Sequence, residues 1–127
     1  FQLVDDLLDL VSTDALMGKP VNNDAKSGVY TYPVLVALAE DADPDAFKAL
    51  MLGAKDSQQA ADELKARVLA SSAVTETLNR IGEYNKLASA CLSDLPDSPT
   101  RTGLMELPER YLNGILTEKS DPAHRTW

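Results

Sequence analysis

Cysteine and histidine are nearly absent from this 127-residue sequence, which contains only Cys91 and His124. A single cysteine excludes an intrachain disulfide and suits a reducing compartment, so we expect a cytoplasmic protein. A metal site of the His-rich or Cys-rich type is also excluded, because such a site needs several of these ligands. Any metal bound by this chain would therefore use oxygen ligands.

Basic residues are also scarce, with 12 Lys and Arg against 20 Asp and Glu and a net charge of −8. This balance argues against a nucleic-acid partner, which needs a basic footprint. Anionic substrates fit only if metal ions or a local Lys/Arg cluster reverse the sign of the field. The longest apolar run, near Tyr32 to Ala39, is too short for a transmembrane segment, and no secretory signal is visible.

Strand patterns of useful length are missing as well, whereas apolar residues recur at three- and four-residue steps. The sequence therefore predicts an all-α fold, as part of a larger helical bundle. Residues 12 to 31 are predicted to form an extended loop. The predicted helices cover residues 1 to 11, Tyr32 to Glu40, Pro44 to about Leu52, a segment after Asp56, a long segment after Ser72, and about Thr102 to Leu116.

Several helix ends can be predicted from capping residues. Asp43 is expected at the N-cap with Pro44 in the first turn, and Asp56 with Gln59 has the spacing of a capping box. Pro96 and Pro99 are expected to stop the long helix. A kink is predicted at Pro108, and the helical spacing of Tyr84, Tyr111 and the methionines predicts that they lie in the core.

Three aspartates stand out in the first predicted helix. Asp5 and Asp9 would lie one turn apart on the same face with Asp6 beside them, while leucines and valines form the buried face. Crowded carboxylates repel one another unless a cation lies between them. Oxygen ligands suit Mg²⁺, although a solvated helix face is the simpler interpretation of such a trio.

The residues around this trio make the pattern more specific. Phe1-Gln2 precedes it, and Gly18-Lys19-Pro20, Asn23-Asp24, Gly28 and Thr31-Tyr32-Pro33 follow in order. This string resembles the second aspartate-rich region of the trans-isoprenyl diphosphate synthases, the polyprenyl synthetase family. Further along, Leu95-Pro96-Asp97-Ser98-Pro99 is similar to the terminal stretch of many polyprenyl synthases.

The resemblance implies an isoprenoid-synthase-type helical bundle with the aspartate face directed into a central cavity. Because Phe1 falls inside the motif, residues 1 to 127 are expected to be the C-terminal portion of one polyprenyl synthase domain. The first aspartate-rich motif would then belong to a missing N-terminal segment or to a partner subunit. The full enzyme is expected to be a homodimer.

The family's reaction is the Mg²⁺-dependent head-to-tail condensation of isopentenyl diphosphate with an allylic diphosphate. By resemblance, Asp5 is the primary metal ligand, and Asp6 and Asp9 complete or hydrate the metal site. Lys19 is expected to pair with the allylic diphosphate and, with Asp5, to be catalytic.

Gln2 and Asp24 are assigned to substrate binding by the same resemblance. Each residue also has a plain alternative: Gln2 could cap the chain end, Asp6 could be a solvated neighbour, Lys19 a surface charge and Asp24 a turn residue. Lys26 and Tyr30 are expected on the loop surface.

Two departures from the family pattern stand out. The family usually has glycine where this chain has Asn22 or Asn23, and an arginine near the position of Gly114. Two alternatives to the catalytic interpretation remain: a non-catalytic or regulatory subunit of a heteromeric synthase, and a class I terpene cyclase. A cyclase would normally carry an Asn/Ser/Glu metal motif in place of a second aspartate trio, and no such motif is evident.

Overall fold

The protein is seen in a computed structural model, which describes residues 1–11 and 23–118, with side chains described as far as Gly114. Within these ranges every regular element is an α-helix, which confirms the predicted all-α class. The helices are α1 (Gln2–Val11), α2 (Asn23–Lys26), α3 (Tyr32–Glu40), α4 (Pro44–Gly53), α5 (Gln58–Ala70), α6 (Ala73–Ala90) and α7 (Pro99–Glu118).

Two of the predicted helix starts are confirmed in detail. Helix α3 has the predicted bounds, with Pro33 in its first turn where a missing amide proton costs nothing. Helix α4 begins at Pro44, and the Asp43 carboxylate accepts a hydrogen bond from the Ala46 backbone N–H at 3.0 Å. The cap satisfies a donor that has no partner inside the helix.

Other helix ends differ from the prediction. The N-cap of α5 is Ser57, whose hydroxyl accepts from the Ala60 N–H at 3.2 Å, so the capping box from Asp56 was wrong. Helix α6 ends at Ala90, before the predicted prolines. Pro99 begins α7, and the Ser98 hydroxyl accepts from the Arg101 N–H at 3.1 Å. The predicted loop also contains a helical turn, α2.

The chain divides into two units, of which the first spans Phe1–Arg80. In this unit α3 packs against α1, α4 and α5, and α4 packs against α5. Phe47 on α4 and Leu64 and Val68 on α5 are almost completely buried at the centre of the core. Each of these side chains contributes roughly 1.5–3 kcal/mol through removal of apolar surface from water.

A contact between distant residues joins the end of α3 to the start of α6. The Glu40 carboxylate accepts one hydrogen bond from the Ser72 backbone N–H at 3.1 Å and another from the Ser72 hydroxyl. These bonds hold the pKa of Glu40 below its usual value, with the hydroxyl making the larger contribution.

The second unit begins at Ile81 and contains the end of α6 and all of α7. Arg101 organises the connection between them: its guanidinium donates to the backbone oxygens of Leu92, at 2.9 Å, and Ser93, at 3.1 Å, and pairs with Asp97. The Ser89 hydroxyl donates to the Met105 backbone oxygen at 2.9 Å.

Two predicted core residues of the long helices are exposed. Tyr84 is 58% exposed and Tyr111 is 39% exposed, so their assignment to the core was wrong. Helix α7 continues through Pro108, and the kink expected there stays a prediction. None of the helices in the described ranges combines the length and the apolar character that crossing a bilayer requires.

Candidate active site

Helix α1 carries the three aspartates and is fixed to the first unit by its apolar side. Val4, Leu7, Leu8 and Leu10 are buried, which is the periodic pattern expected of an amphipathic helix. The Phe1 carbonyl accepts from the N–H groups of Val4 and Asp5 and closes the first turn. The helix therefore holds its aspartates on a rigid element, and each has a different environment.

Asp5 is the most accessible of the three. It is exposed on α1, and its carboxylate makes no hydrogen bond or ion pair within the described part of the chain. A cation could therefore reach Asp5 without first breaking a contact to the described residues.

Asp6 lies on the buried side of the trio, with 9% of its surface exposed. Its Oδ1 accepts a hydrogen bond from the Gln2 side-chain amide at 2.8 Å, one turn earlier in α1. Gln2 and Asp6 thus satisfy each other across one helical turn. The predicted roles of Gln2 in substrate binding and of Asp6 in metal binding stay predictions.

Asp9 is half-buried near the end of α1 and reaches across to α2. Its Oδ1 accepts from the Asn23 N–H at 3.1 Å, and its Oδ2 accepts from the Asp24 N–H at 3.2 Å. Asp9 therefore contacts Asp24 through the Asp24 backbone N–H. The predicted metal role of Asp9 and substrate role of Asp24 are untested.

The segment after α2 is anchored to α4 by a residue that was not predicted to have a structural role. The Tyr30 hydroxyl donates to the Met51 backbone oxygen at 3.0 Å, and Tyr30 packs against the core although it was expected on the loop surface. Before it, the Val29 N–H donates to the Asp24 carbonyl at 2.8 Å, across Gly28 at φ 74°. A tyrosine two residues after a glycine is too common a pattern to have predicted this anchor.

The carboxylates of α1 could supply only some of the ligands that a metal ion needs. Among the described residues, no three Asp, Glu, His or Cys side chains converge on one point. Mg²⁺ keeps several waters and is usually held by one or two carboxylates together with substrate phosphates. An exposed carboxylate such as Asp5 therefore fits this ion, provided that other ligands come from elsewhere.

Lys19 and the rest of Gly18-Lys19-Pro20 lie outside the described residues, so the predicted diphosphate contact has no structural description. Lys26, in α2, is half-buried. A depression of about 430 Å³ lies beside α3 and α5 and is lined by Glu40, Asp41 and Arg67 among others. It does not include the α1 aspartates, and the cavity predicted to face them stays a prediction.

A family model described as "Polyprenyl synthetase" matches residues 1–70 of this chain. The match covers more than half of the sequence and contains α1, α2 and the segment between them. The chain belongs to the polyprenyl synthetase family. The aspartates of α1 and the residues of α2 therefore lie within the part of the chain that matches the family.

Several curated proteins extend the polyprenyl synthetase likeness into the second unit. Decaprenyl-diphosphate synthase subunit 1 of Schizosaccharomyces pombe is 32% identical over 112 residues, which are 88% of this chain. Nonaprenyl diphosphate synthase of Mycobacterium tuberculosis is 33% identical over 109 residues, or 84% of the chain. Heptaprenyl diphosphate synthase component 2 of Bacillus subtilis is 29% identical over 104 residues, or 82% of the chain.

The chain spans only about a third of these polyprenyl synthetase relatives. The aligned residues are 29% of the Schizosaccharomyces pombe protein, 32% of the Mycobacterium tuberculosis protein and 29% of the Bacillus subtilis protein.

Proposed function

We propose that this chain supplies the second aspartate-rich site of a trans-prenyl diphosphate synthase, which joins isopentenyl diphosphate to an allylic diphosphate. The observation that carries the proposal is the family match over residues 1–70, in which Asp5 lies exposed on α1. The three relatives described above are named as decaprenyl, nonaprenyl and heptaprenyl diphosphate synthases. Their names favour a synthase over a terpene cyclase.

The proposed reaction begins when the C–O bond of the allylic diphosphate breaks and diphosphate leaves with the electron pair. The double bond of isopentenyl diphosphate then attacks the allylic carbocation and forms a new C–C bond. Loss of a proton restores a double bond in the longer prenyl diphosphate. Negative charge grows on the departing diphosphate, so groups that stabilise this charge lower the barrier.

Mg²⁺, when bound, would neutralise part of that charge and orient the diphosphate. Asp5 is proposed to hold the metal, because its carboxylate is exposed and makes no hydrogen bond within the described residues. Asp6 adds negative charge from the same helix while Gln2 restrains it. Lys19 is proposed to bind the allylic diphosphate as a point charge.

The proposal is tested by Asp5→Ala in the assembled enzyme, together with the segment or subunit that carries the first aspartate-rich motif. Loss of one such electrostatic contact typically lowers the rate about 100- to 1,000-fold. Transfer from radiolabelled isopentenyl diphosphate is measured at increasing Mg²⁺ concentrations, and excess Mg²⁺ should partly rescue the variant. Asp56→Ala is the matched control, because Asp56 is an exposed aspartate in the turn after α4.

Lys19→Ala separates phosphate binding from metal binding. Lys19 would bind phosphate that is already charged in the ground state. Compared with Asp5→Ala, more of the activity lost in Lys19→Ala should therefore appear as a higher KM for the allylic diphosphate. Excess Mg²⁺ should not rescue this variant. Near-wild-type turnover of Asp5→Ala would overturn the catalytic proposal and favour a regulatory subunit.

The partner proposals follow from the same family. Two of the relatives are named as a subunit and a component, which supports pairing of this chain with a further segment or subunit. The assembled enzyme is proposed to be dimeric and cytoplasmic, with Cys91 as a free thiol. Co-purification of the chain with its partner, followed by sedimentation, measures the assembly directly.

A further inference from the structure

The Asp9 carboxylate uses both of its oxygens to hold the backbone of another helix. Oδ1 accepts from the Asn23 N–H at 3.1 Å and Oδ2 from the Asp24 N–H at 3.2 Å, residues that lie 14 and 15 positions later in the chain. No hydrogen bond of this kind is made by Asp5 within the described residues. Asp9 therefore binds the backbone of α2 and Asp5 does not, although the two aspartates lie one turn apart in α1.

The first amides of any helix have no intrahelical partner, and at the start of α2 the Asp9 carboxylate supplies the acceptor for two of them. A carboxylate at this end also interacts favourably with the exposed amide dipoles. Asp9 thus fixes the first turn of α2 to the end of α1, in agreement with the packing of these two helices.

This contact joins the two ends of the segment that carries Lys19 in sequence. The segment leaves α1 just after Asp9 and returns to the described structure at Asn23. The two hydrogen bonds close the intervening chain into a loop, and the entropy cost of that closure rises only slowly with loop length. A change at Asp9 would therefore act first on the start of α2, which includes Asp24.

We propose that Asp9 is a positioning residue, which ties the start of α2 to α1 through two backbone hydrogen bonds and does not itself bind the metal. The inference rests on the proposed function for its catalytic consequence: Asp9 sets the position of Asp24, the residue of α2 predicted to bind substrate, relative to Asp5. Within the aspartate trio, Asp5 is thus the residue that holds the metal and Asp9 is the residue that positions α2.

Asn and Ala at position 9 distinguish these two roles. An asparagine keeps a carbonyl oxygen, and Asn and Asp are about equally good acceptors for the N–H groups at a helix start. Asp9→Asn therefore retains one backbone contact but removes the negative charge that a metal ligand needs. Asp9→Ala removes both contacts and the charge.

The first measurement is amide hydrogen exchange in the complete polypeptide without metal, read by mass spectrometry on peptides covering residues 23–26. Asp9→Ala should raise exchange of these amides about tenfold, whereas Asp9→Asn, which keeps one acceptor oxygen, should restore protection at one of the two contacted amides. Asp5→Ala is the matched control on the same helix and should leave this exchange unchanged. Unchanged exchange in Asp9→Ala would overturn the proposal.

The second measurement is steady-state prenyl transfer in the assembled enzyme. Asp9→Ala should raise the KM for the allylic diphosphate while the Mg²⁺ concentration for half-maximal rate stays at the wild-type value. Asp9→Asn should return that KM to within about threefold of wild type. If Asp9→Asn is as impaired as Asp5→Ala and requires more Mg²⁺, Asp9 is a metal ligand and the inference is overturned.

The two measurements also separate the inference from the proposed function. If no allylic diphosphate is elongated by the assembled wild-type protein, the synthase proposal fails. Hydrogen exchange then decides by itself whether Asp9 holds α2 to α1. If transfer occurs but exchange is insensitive to Asp9→Ala, the synthase proposal survives and the positioning role fails.

Discussion

Glu40 and Ser72 are 32 residues apart, yet one carboxylate accepts both the backbone N–H and the hydroxyl of the serine. The contact joins the last residue of α3 to the residue just before α6. Glu40 is exposed, so water competes for these bonds. Both donors nevertheless favour its ionised form and hold its pKa below the ordinary value of 4.5.

The Glu40 contact predicts a pH-dependent contribution to folding. Because its pKa is lower in the folded state, the contribution is complete above pH 4.5 and is lost as the pH falls through the folded value. Glu40→Gln should therefore lower the urea midpoint at neutral pH, and its difference from wild type should shrink in acid.

Glu109→Gln is the control for charge alone, since Glu109 is another exposed glutamate within a helix. Urea unfolding followed by circular dichroism across the acid range measures both variants. A Glu40→Gln difference that stays constant down to about pH 3 would contradict the assignment.

Gly28 and Gly82 are predicted to respond to alanine with opposite signs. Gly28 has a φ of 74°, where an L-residue costs roughly 1–2 kcal/mol, although an added Cβ would meet no atom within 4 Å. Gly82 lies inside α6 with the same open space, and alanine there should stabilise by about 0.4–1 kcal/mol. Equal destabilisation by both substitutions in urea titrations would contradict the conclusion that backbone conformation decides the outcome.

Phe47 and Leu52 test how far burial within one helix determines stability. Phe47 is fully buried, so Phe47→Ala should cost about 3–5 kcal/mol through lost burial and a cavity. Leu52, on the same helix, is 72% exposed, and Leu52→Ala should change the free energy of unfolding by less than about 0.5 kcal/mol. If Phe47→Ala does not fold, Phe47→Leu is measured in its place, and its cost should lie between those of the other two variants. A cost for Leu52→Ala as large as that for Phe47→Leu would contradict the buried-core assignment.

Helix ends could be predicted best where a residue type strongly favours one position of a helix. Asp43 before Pro44 predicted the start of α4 correctly, because proline favours the first turn and aspartate the cap. Where two residues could play the same role, or one residue two roles, the prediction was wrong. Ser57 caps α5 in place of Asp56, and Pro99 starts a helix where it was expected to stop one.

Periodicity predicted helix faces but not what covers them. Tyr84 and Tyr111 have helical spacing, yet both are exposed in the second unit. At the candidate site, the sequence placed Asp5 and Asp9 on one helix, which the structure has as α1. The bonds from Asp9 to Asn23 and Asp24 depend on where the chain returns after the intervening segment, which no local pattern encodes.

The Arg101 network has a consequence for the order in which the chain assembles. Its partners Leu92, Ser93 and Asp97 lie only nine, eight and four residues away along the chain. Loops of about ten residues close in roughly 10–100 ns, and short closures cost little entropy. We therefore expect the connection between α6 and α7 to form early in folding, well before Glu40 encounters Ser72.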